Sequence, residues 1–287
     1  MSLDLSASPW NQRRARREKA FKYLCFGSTL LAVLFLAILL VGIFAQGLPN
    51  LDFNFLTRNS SRHARNAGIY NALIGTVWII GLTIAISVPV GIAAGVYLEE
   101  FGKKNRFTQF IQLNIANLAS VPSIIYALLG LALFVRIFSL GRSIIAGALT
   151  MSLLILPMII VTTQEALRAV PKSYREGSLA LGSTPWQAVT KQVLPNAMPG
   201  ILTGVILSVS RAIGETAPLV TMGAVFVNMP PKGIGDSFTA LPLQIYNWSG
   251  SAKPGFQELA ATGIIVLLAV LLTMNSVAIF LRNKYQR

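Results

Sequence analysis

Arg211 and Glu215 stand four residues apart inside a long apolar stretch, roughly residues 200–227, of a 287-residue chain. Four residues is about one turn of helix, so a helix places both side chains on one face. A guanidinium in the middle of a bilayer costs about 2.5–3.5 kcal/mol on insertion scales. An exposed pair of this spacing returns only about 0.2–0.5 kcal/mol, so the pair must turn to a protein interior or a water-filled path rather than to lipid. Two uses fit such a pair. It can be an internal salt bridge that fixes helix packing. Alternatively, Arg211 can grip a passing oxyanion through two parallel hydrogen bonds. Glu215 would then hold the guanidinium when no anion is present and weaken its grip when one arrives, because a transport site must release what it binds. Ser208 and Thr216 add hydroxyls on neighbouring faces.

A second polar region, residues 165–197, lies directly before this stretch. Ser173 to Leu181 can form a short helix, and Gly182 follows where a helix commonly ends in a left-handed turn. Ser183 and Thr184 can cap a second helix with Pro185 at its first position, running through Trp186 to about Val193 and stopping near Pro195. Tyr174, Leu181 and Trp186 would be the apolar contacts of this compact protrusion. Such a segment suits an amphipathic loop lying at the headgroups or a docking element for a soluble partner.

The rest of the chain has to place these two regions. It is 54% hydrophobic and 12% charged, with a mean hydropathy of +0.63, whereas soluble domains carry about 25% charged residues. The bilayer is therefore the solvent for much of it. Apolar runs at roughly 23–45, 70–98, 110–135, 143–163, 200–227 and 258–281 predict six membrane-spanning helices in one domain, 23–287, behind a basic tail, 1–22. Helices are the default because each satisfies its own backbone in hydrocarbon, and the period-two alternation of a barrel is absent. The first run is too long for a secretory signal and reads as an uncleaved span. Pro89, Pro122 and Pro157 are expected to kink or interrupt their helices.

The formal charge of +14 would suit nucleic acid, but most cations sit in short loops beside apolar runs. Six spans put both termini on one side, and that side carries 16 Lys and Arg against 7 on the other. The positive-inside rule then makes the termini and residues 165–197 cytoplasmic. One cysteine, Cys25, and one histidine, His63, leave no disulfide, metal cluster or nucleophile–base set.

The spacing Glu176-Gly-Ser-x3-Gly182-x11-Leu194-Pro195 resembles the EAA motif of the permeases of ATP-binding-cassette importers, Glu-Ala-Ala-x3-Gly-x9-Ile-x-Leu-Pro. Gly177 and Ser178 replace the alanines, and Gln192 stands where an apolar residue is usual. Arg211-Ala-Ile-Gly-Glu215-Thr-Ala-Pro-Leu resembles the fifth-helix signature of phosphate importer permeases of the PstA type. Ala67-Gly-Ile, Ser120-Val-Pro-Ser-Ile-Ile-Tyr126 and Glu165-Ala-Leu-Arg-Ala-Val-Pro171 match as well, so the likeness covers roughly residues 64–282.

The resemblance implies an all-α permease of type I importer architecture in the inner membrane, with a cytoplasmic coupling helix between its fourth and fifth spans. By this likeness Tyr174, Glu176, Gly182, Pro185, Leu194 and Pro195 would meet an ATPase subunit, and Arg211, Glu215 and Thr216 would serve phosphate passage. The implied partners are a second permease (PstC-type), two ATPase subunits (PstB-type) that hold ATP and magnesium, and an external phosphate-binding protein (PstS-type), with no cofactor in this chain and no nucleic acid. The sequence has no G-x-x-x-x-G-K-[ST] phosphate loop of its own. Sulfate, molybdate or phosphonate would also suit an arginine. An ATP-independent secondary transporter would leave the coupling segment unexplained.

Overall fold

The computed structural model describes residues 9–103, 105–223, 227 and 229–284. Part of the expected basic tail (1–8), Lys104, Ala224–Phe226 of the expected fifth span, Asn228 and Tyr285–Arg287 lie outside the described residues. The regular elements described are all helical.

The first helix, α1 (Pro9–Gly47), starts inside the basic segment and runs unbroken through the first apolar run. It leaves its apolar residues uncovered and meets the rest of the chain at its far end, where Thr262 donates to the Gly47 carbonyl at 2.9 Å. The short helix α2 (Phe53–Thr57) is capped by Asp52. Then α3 (Tyr70–Val96) continues through a π-helical turn, Tyr97–Phe101. Its main partner is α6 (Ile144–Arg168), the central helix, with 67% of its most apolar window buried. Ser87, Gly91 and Gly95 recur at four-residue spacing along the buried face of α3. A Cβ on Gly91 would come within 2.6 Å of Ile159, and one on Gly95 within 2.7 Å of Thr163. Small residues at this spacing let two backbones approach in a solvent that supplies no hydrophobic drive of its own.

Between these helices lie α4 (Arg106–Ala119) and α5 (Ser123–Gly130), the latter extended by a π-helical turn to Ile137. The two axes meet at 101°, so the third expected span is sharply broken at Ser120–Pro122. Pro122 caps α5, and the Tyr126 hydroxyl donates back across the corner to the Leu118 carbonyl at 2.8 Å. Pro89 and Pro157, by contrast, do not interrupt their helices, which continue through them. Among the described residues, five helices are long and apolar enough to span, and the bent pair makes six if it counts as one crossing.

After α6 come α7 (Lys172–Ala180), α8 (Pro185–Ala188), α9 (Leu194–Gly214), α10 (Ala217–Met222), α11 (Leu241–Ser249) and α12 (Phe256–Lys284). A π-helical turn, Val189–Val193, joins α8 to α9, so Pro185–Gly214 is one helix of 30 residues. The expected stop near Pro195 does not occur. Pro195 sits in the first turn of α9, straight after the widened turn, which relieves the clash of a proline ring with the carbonyl four residues back. At about 1.5 Å per residue the rod is about 45 Å long.

Three apolar clusters hold this arrangement. One, around Ile79, Ile155, Ile213 and Phe238, fills the middle. Phe55, Ile69, Trp248 and Phe256 gather at one end, and Leu167, Val193 and Ile201 at the other, beneath α7 and α8.

Candidate functional site

Helix α9 ends at Gly214 for a reason carried by Pro218. Continued helix would bring the Pro218 ring against the Gly214 carbonyl, four residues back, and Pro218 has no N–H to give it. Glu215 turns extended (φ −73°, ψ 124°), Thr216 follows, and α10 starts with Pro218 in its first turn. The fifth apolar run is thus not one span over 200–227 but a rod ending at 214 and a short helix after it. The cue was legible as a proline four residues beyond a glycine.

Arg211 lies one turn before this break, and its Nε donates to Glu215 Oε1 at 3.2 Å. Its side chain is 49% exposed and that of Glu215 only 17%. Val209 and Ile213 on the opposite side of α9 are buried, as are Ser208 and Ala212 on its flanks. Leu207 and Gly214 share the open stripe with Arg211. The fold of one chain therefore does not enclose the guanidinium. Ser208 is fully buried and donates to the Gly204 carbonyl, away from the pair. Thr216 is half-buried and lines a cavity of about 550 Å3 with Ile124, Pro242 and Tyr246. The helix break thus borders open space, the setting in which irregular backbone is tolerated at membrane depth.

The 172–195 segment closely follows its sequence. Helix α7 ends at Ala180, and Gly182 takes φ +86°, the left-handed conformation expected of it. Thr184 and Gln187 form a reciprocal capping box, with Pro185 in the first position of α8. Tyr174, Glu176, Gly182, Pro185 and Pro195 are all exposed, Leu181 is 90% exposed and Trp186 64%. Leu194 packs on the buried cluster below.

Sequence reading passed over what holds this protrusion in place. Glu99 and Glu100, just beyond the second apolar run, close the π-helical end of α3. Arg175 of α7 clamps Glu100 through Nε, at 3.0 and 3.1 Å from its two oxygens, and through Nη2. The same guanidinium donates to the carbonyls of Leu167 and Val170 at the end of α6 (2.9 and 3.0 Å). Glu100 is 8% exposed and Arg175 22%. The hydrogen bond to Glu100 raises the Arg175 pKa above the usual arginine value, against the opposing effect of burial. A cation so raised contributes fully at all pH values below the ordinary arginine range, so this clamp does not loosen through Arg175 at neutral pH. Arg168 pairs with Glu99 at 2.7 Å, and the rings of Phe101 and Trp186 lie 5.7 Å apart. The signal was two adjacent acids at the end of one span facing a basic loop.

With this geometry in hand, the family assignment follows from a match to the model for "Binding-protein-dependent transport system inner membrane component" over residues 87–285. The chain belongs to that family. It is 33% identical over 273 residues to the phosphate transport system permease protein PstA of Haemophilus influenzae, covering 95% of each chain. It is 34% identical over 260 residues to the probable ABC transporter permease protein YqgI of Bacillus subtilis, covering 85% of this chain and 88% of that one. Among solved structures, a bacterial ABC transporter involved in import of the acidic polysaccharide alginate aligns with a TM-score of 0.70 at 13% identity, over 96% of this chain and 99% of that one. The MetNI methionine ABC transporter, in an inward-facing form, aligns with a TM-score of 0.59 at 21% identity over 77% and 95%. These likenesses carry the fold: that of a type I ABC importer permease.

Proposed function

We propose that this chain is a permease subunit of an ATP-driven importer that carries inorganic phosphate across the inner membrane into the cytoplasm. One observation carries the proposal. A helix that starts in the exposed 172–195 protrusion runs without interruption to Arg211, and this chain leaves that guanidinium uncovered on a membrane-spanning face. Facing lipid would cost about 2.5–3.5 kcal/mol or more. The face therefore belongs against a second, homologous permease of the PstC type, with the oxyanion path between the two. Arg211 receives phosphate there through paired charge-assisted hydrogen bonds. Glu215 competes for the same guanidinium and keeps the site weak enough to release, and Thr216 supplies a hydroxyl beside the helix break. The PstA relatives, matched over nearly the full length, support phosphate as cargo.

Two ATPase subunits of the PstB type bind ATP and magnesium and seat the cytoplasmic protrusion, with Tyr174, Glu176, Gly182 and Pro185 towards them. Their closure moves α8 and α9 as one rod, and the Arg175–Glu100 clamp carries α3 and α6 along. Both termini and the 1–22 tail lie in the cytoplasm. An external binding protein of the PstS type delivers phosphate to the opposite face. Labelled-phosphate uptake by cells lacking this chain, with sulfate as competitor, tests the proposal. Uptake should fall to background, return with the chain restored and resist sulfate. Unchanged uptake, or full competition by sulfate, would reject phosphate as the cargo.

A further inference from the structure

At the end of the molecule away from the coupling segment, the loop after α2 and the loop before α12 meet over α11. They enclose a pocket of about 350 Å3. Its rim carries two cations, Arg62 and Lys253, and its wall carries Ser60, Gln244, Asn247 and Ser251. A wider cavity of about 700 Å3 shares Arg62 and Lys253 and adds His63 and Arg65. Among the described residues, no Asp or Glu lines either space.

The pocket is already built. Its floor is Trp248 and Phe256, 3% and 6% exposed, with the Trp248 ring 5.9 Å from Phe55 and 6.5 Å from Phe256. Gln244, 4% exposed, is held by a 3.3 Å hydrogen bond from the Ser60 hydroxyl to its Oε1. The Asn247 Nδ2 is buried with no hydrogen-bond partner among the described residues. A buried donor left open in a polar, cation-rimmed pocket is the arrangement that an anion's acceptor oxygens complete.

Position adds to chemistry. While Gln244, Asn247 and Trp248 of α11 line this pocket, Pro242, Ile245, Tyr246 and Ser249 of the same helix line the cavity that contains Thr216. One helix of nine residues separates the two spaces.

We propose that this pocket is an outer oxyanion site. A tetrahedral oxyanion such as phosphate binds between Arg62 and Lys253, takes the Asn247 donor, and passes beside α11 to the break at Thr216 and Arg211. The inference rests on the importer reading above and extends it by a first stop on the route. Cations lining a concave site also raise the local concentration of an anion, so binding here should weaken as salt rises.

The test uses the assembled transporter and inorganic phosphate, with line broadening in phosphorus NMR as the binding readout and labelled-phosphate uptake measured beside it. In an Arg211→Ala background, which removes the inner site, phosphate should remain broadened. Adding Lys253→Ala should weaken that binding by about tenfold, as for loss of one charge-assisted hydrogen bond, and Lys253→Arg should restore it. Lys253 is exposed, so its removal leaves the fold intact. Broadening indifferent to Lys253, with uptake still lost in Arg211→Ala, overturns the outer site and leaves the importer reading standing. Normal uptake by Arg211→Ala overturns the inner site instead, and the effect of Lys253 on binding still decides the outer one. If Lys253→Ala abolishes capture of the binding protein but not phosphate broadening, the cations dock an acidic protein surface and the oxyanion site is rejected.

Discussion

Two arginine–glutamate pairs, at opposite ends of the route from the coupling segment to the helix break, are built for opposite purposes. Arg175 and Glu100 join two separate elements, are largely buried, and use both carboxylate oxygens and two backbone carbonyls. Arg211 and Glu215 sit one turn apart on the same stretch of chain, share one 3.2 Å contact, and leave half the arginine open. The first pair has little room to exchange partners. The second retains free donors for another anion. On the proposed function the chain needs both, because a movement must be transmitted rigidly at one end and a cargo held briefly at the other.

The largest effect that separates the pairs should come from Glu100→Ala. Leaving Arg175 without its partly buried counter-ion should destabilise the coupling end by about 3–5 kcal/mol, read as a lower melting temperature of the assembled complex and faster protease cleavage between α6 and α8. Gly182→Ala comes next. A Cβ there meets no atom within 4 Å, so the cost is that of the left-handed backbone alone, about 1–2 kcal/mol. More ATP should be spent per phosphate imported, measured in reconstituted vesicles. Thr184→Ala removes half of the capping box and should cost about 1 kcal/mol, seen as a small fall in melting temperature. Glu215→Gln should cost the fold under about 1 kcal/mol, as for an exposed pair, yet tighten phosphate binding and slow its release in single-turnover uptake. A large stability loss at Glu215, or none at Glu100, would erase the distinction.

Much of this was legible in the residues. The first, second, fourth and sixth apolar runs fall on long helices, and Gly182, Thr184 and Pro185 gave the turn between α7 and α8, because each acts within a few residues of itself. The spacing of Arg211 and Glu215 gave their contact for the same reason. The break at Pro122 was legible too, but not its 101° angle, across which Tyr126 reaches back to Leu118. Two further features escaped. The helix runs on through Pro195 because a widened turn precedes it. The Glu100–Arg175 clamp joins residues 75 positions apart, which no local pattern reports. The cost of charge in lipid set Arg211 towards protein or a water-filled path, but which of the two could not be read from this chain, whose own fold leaves half the side chain open.

Labelled-phosphate uptake by Arg211→Ala, with ATP hydrolysis followed in the same vesicles and assembly checked by co-purification of the subunits, tests the central claim most directly. The account predicts that uptake is lost while the complex assembles and still hydrolyses ATP. Phosphate import at the normal rate by that variant would contradict it.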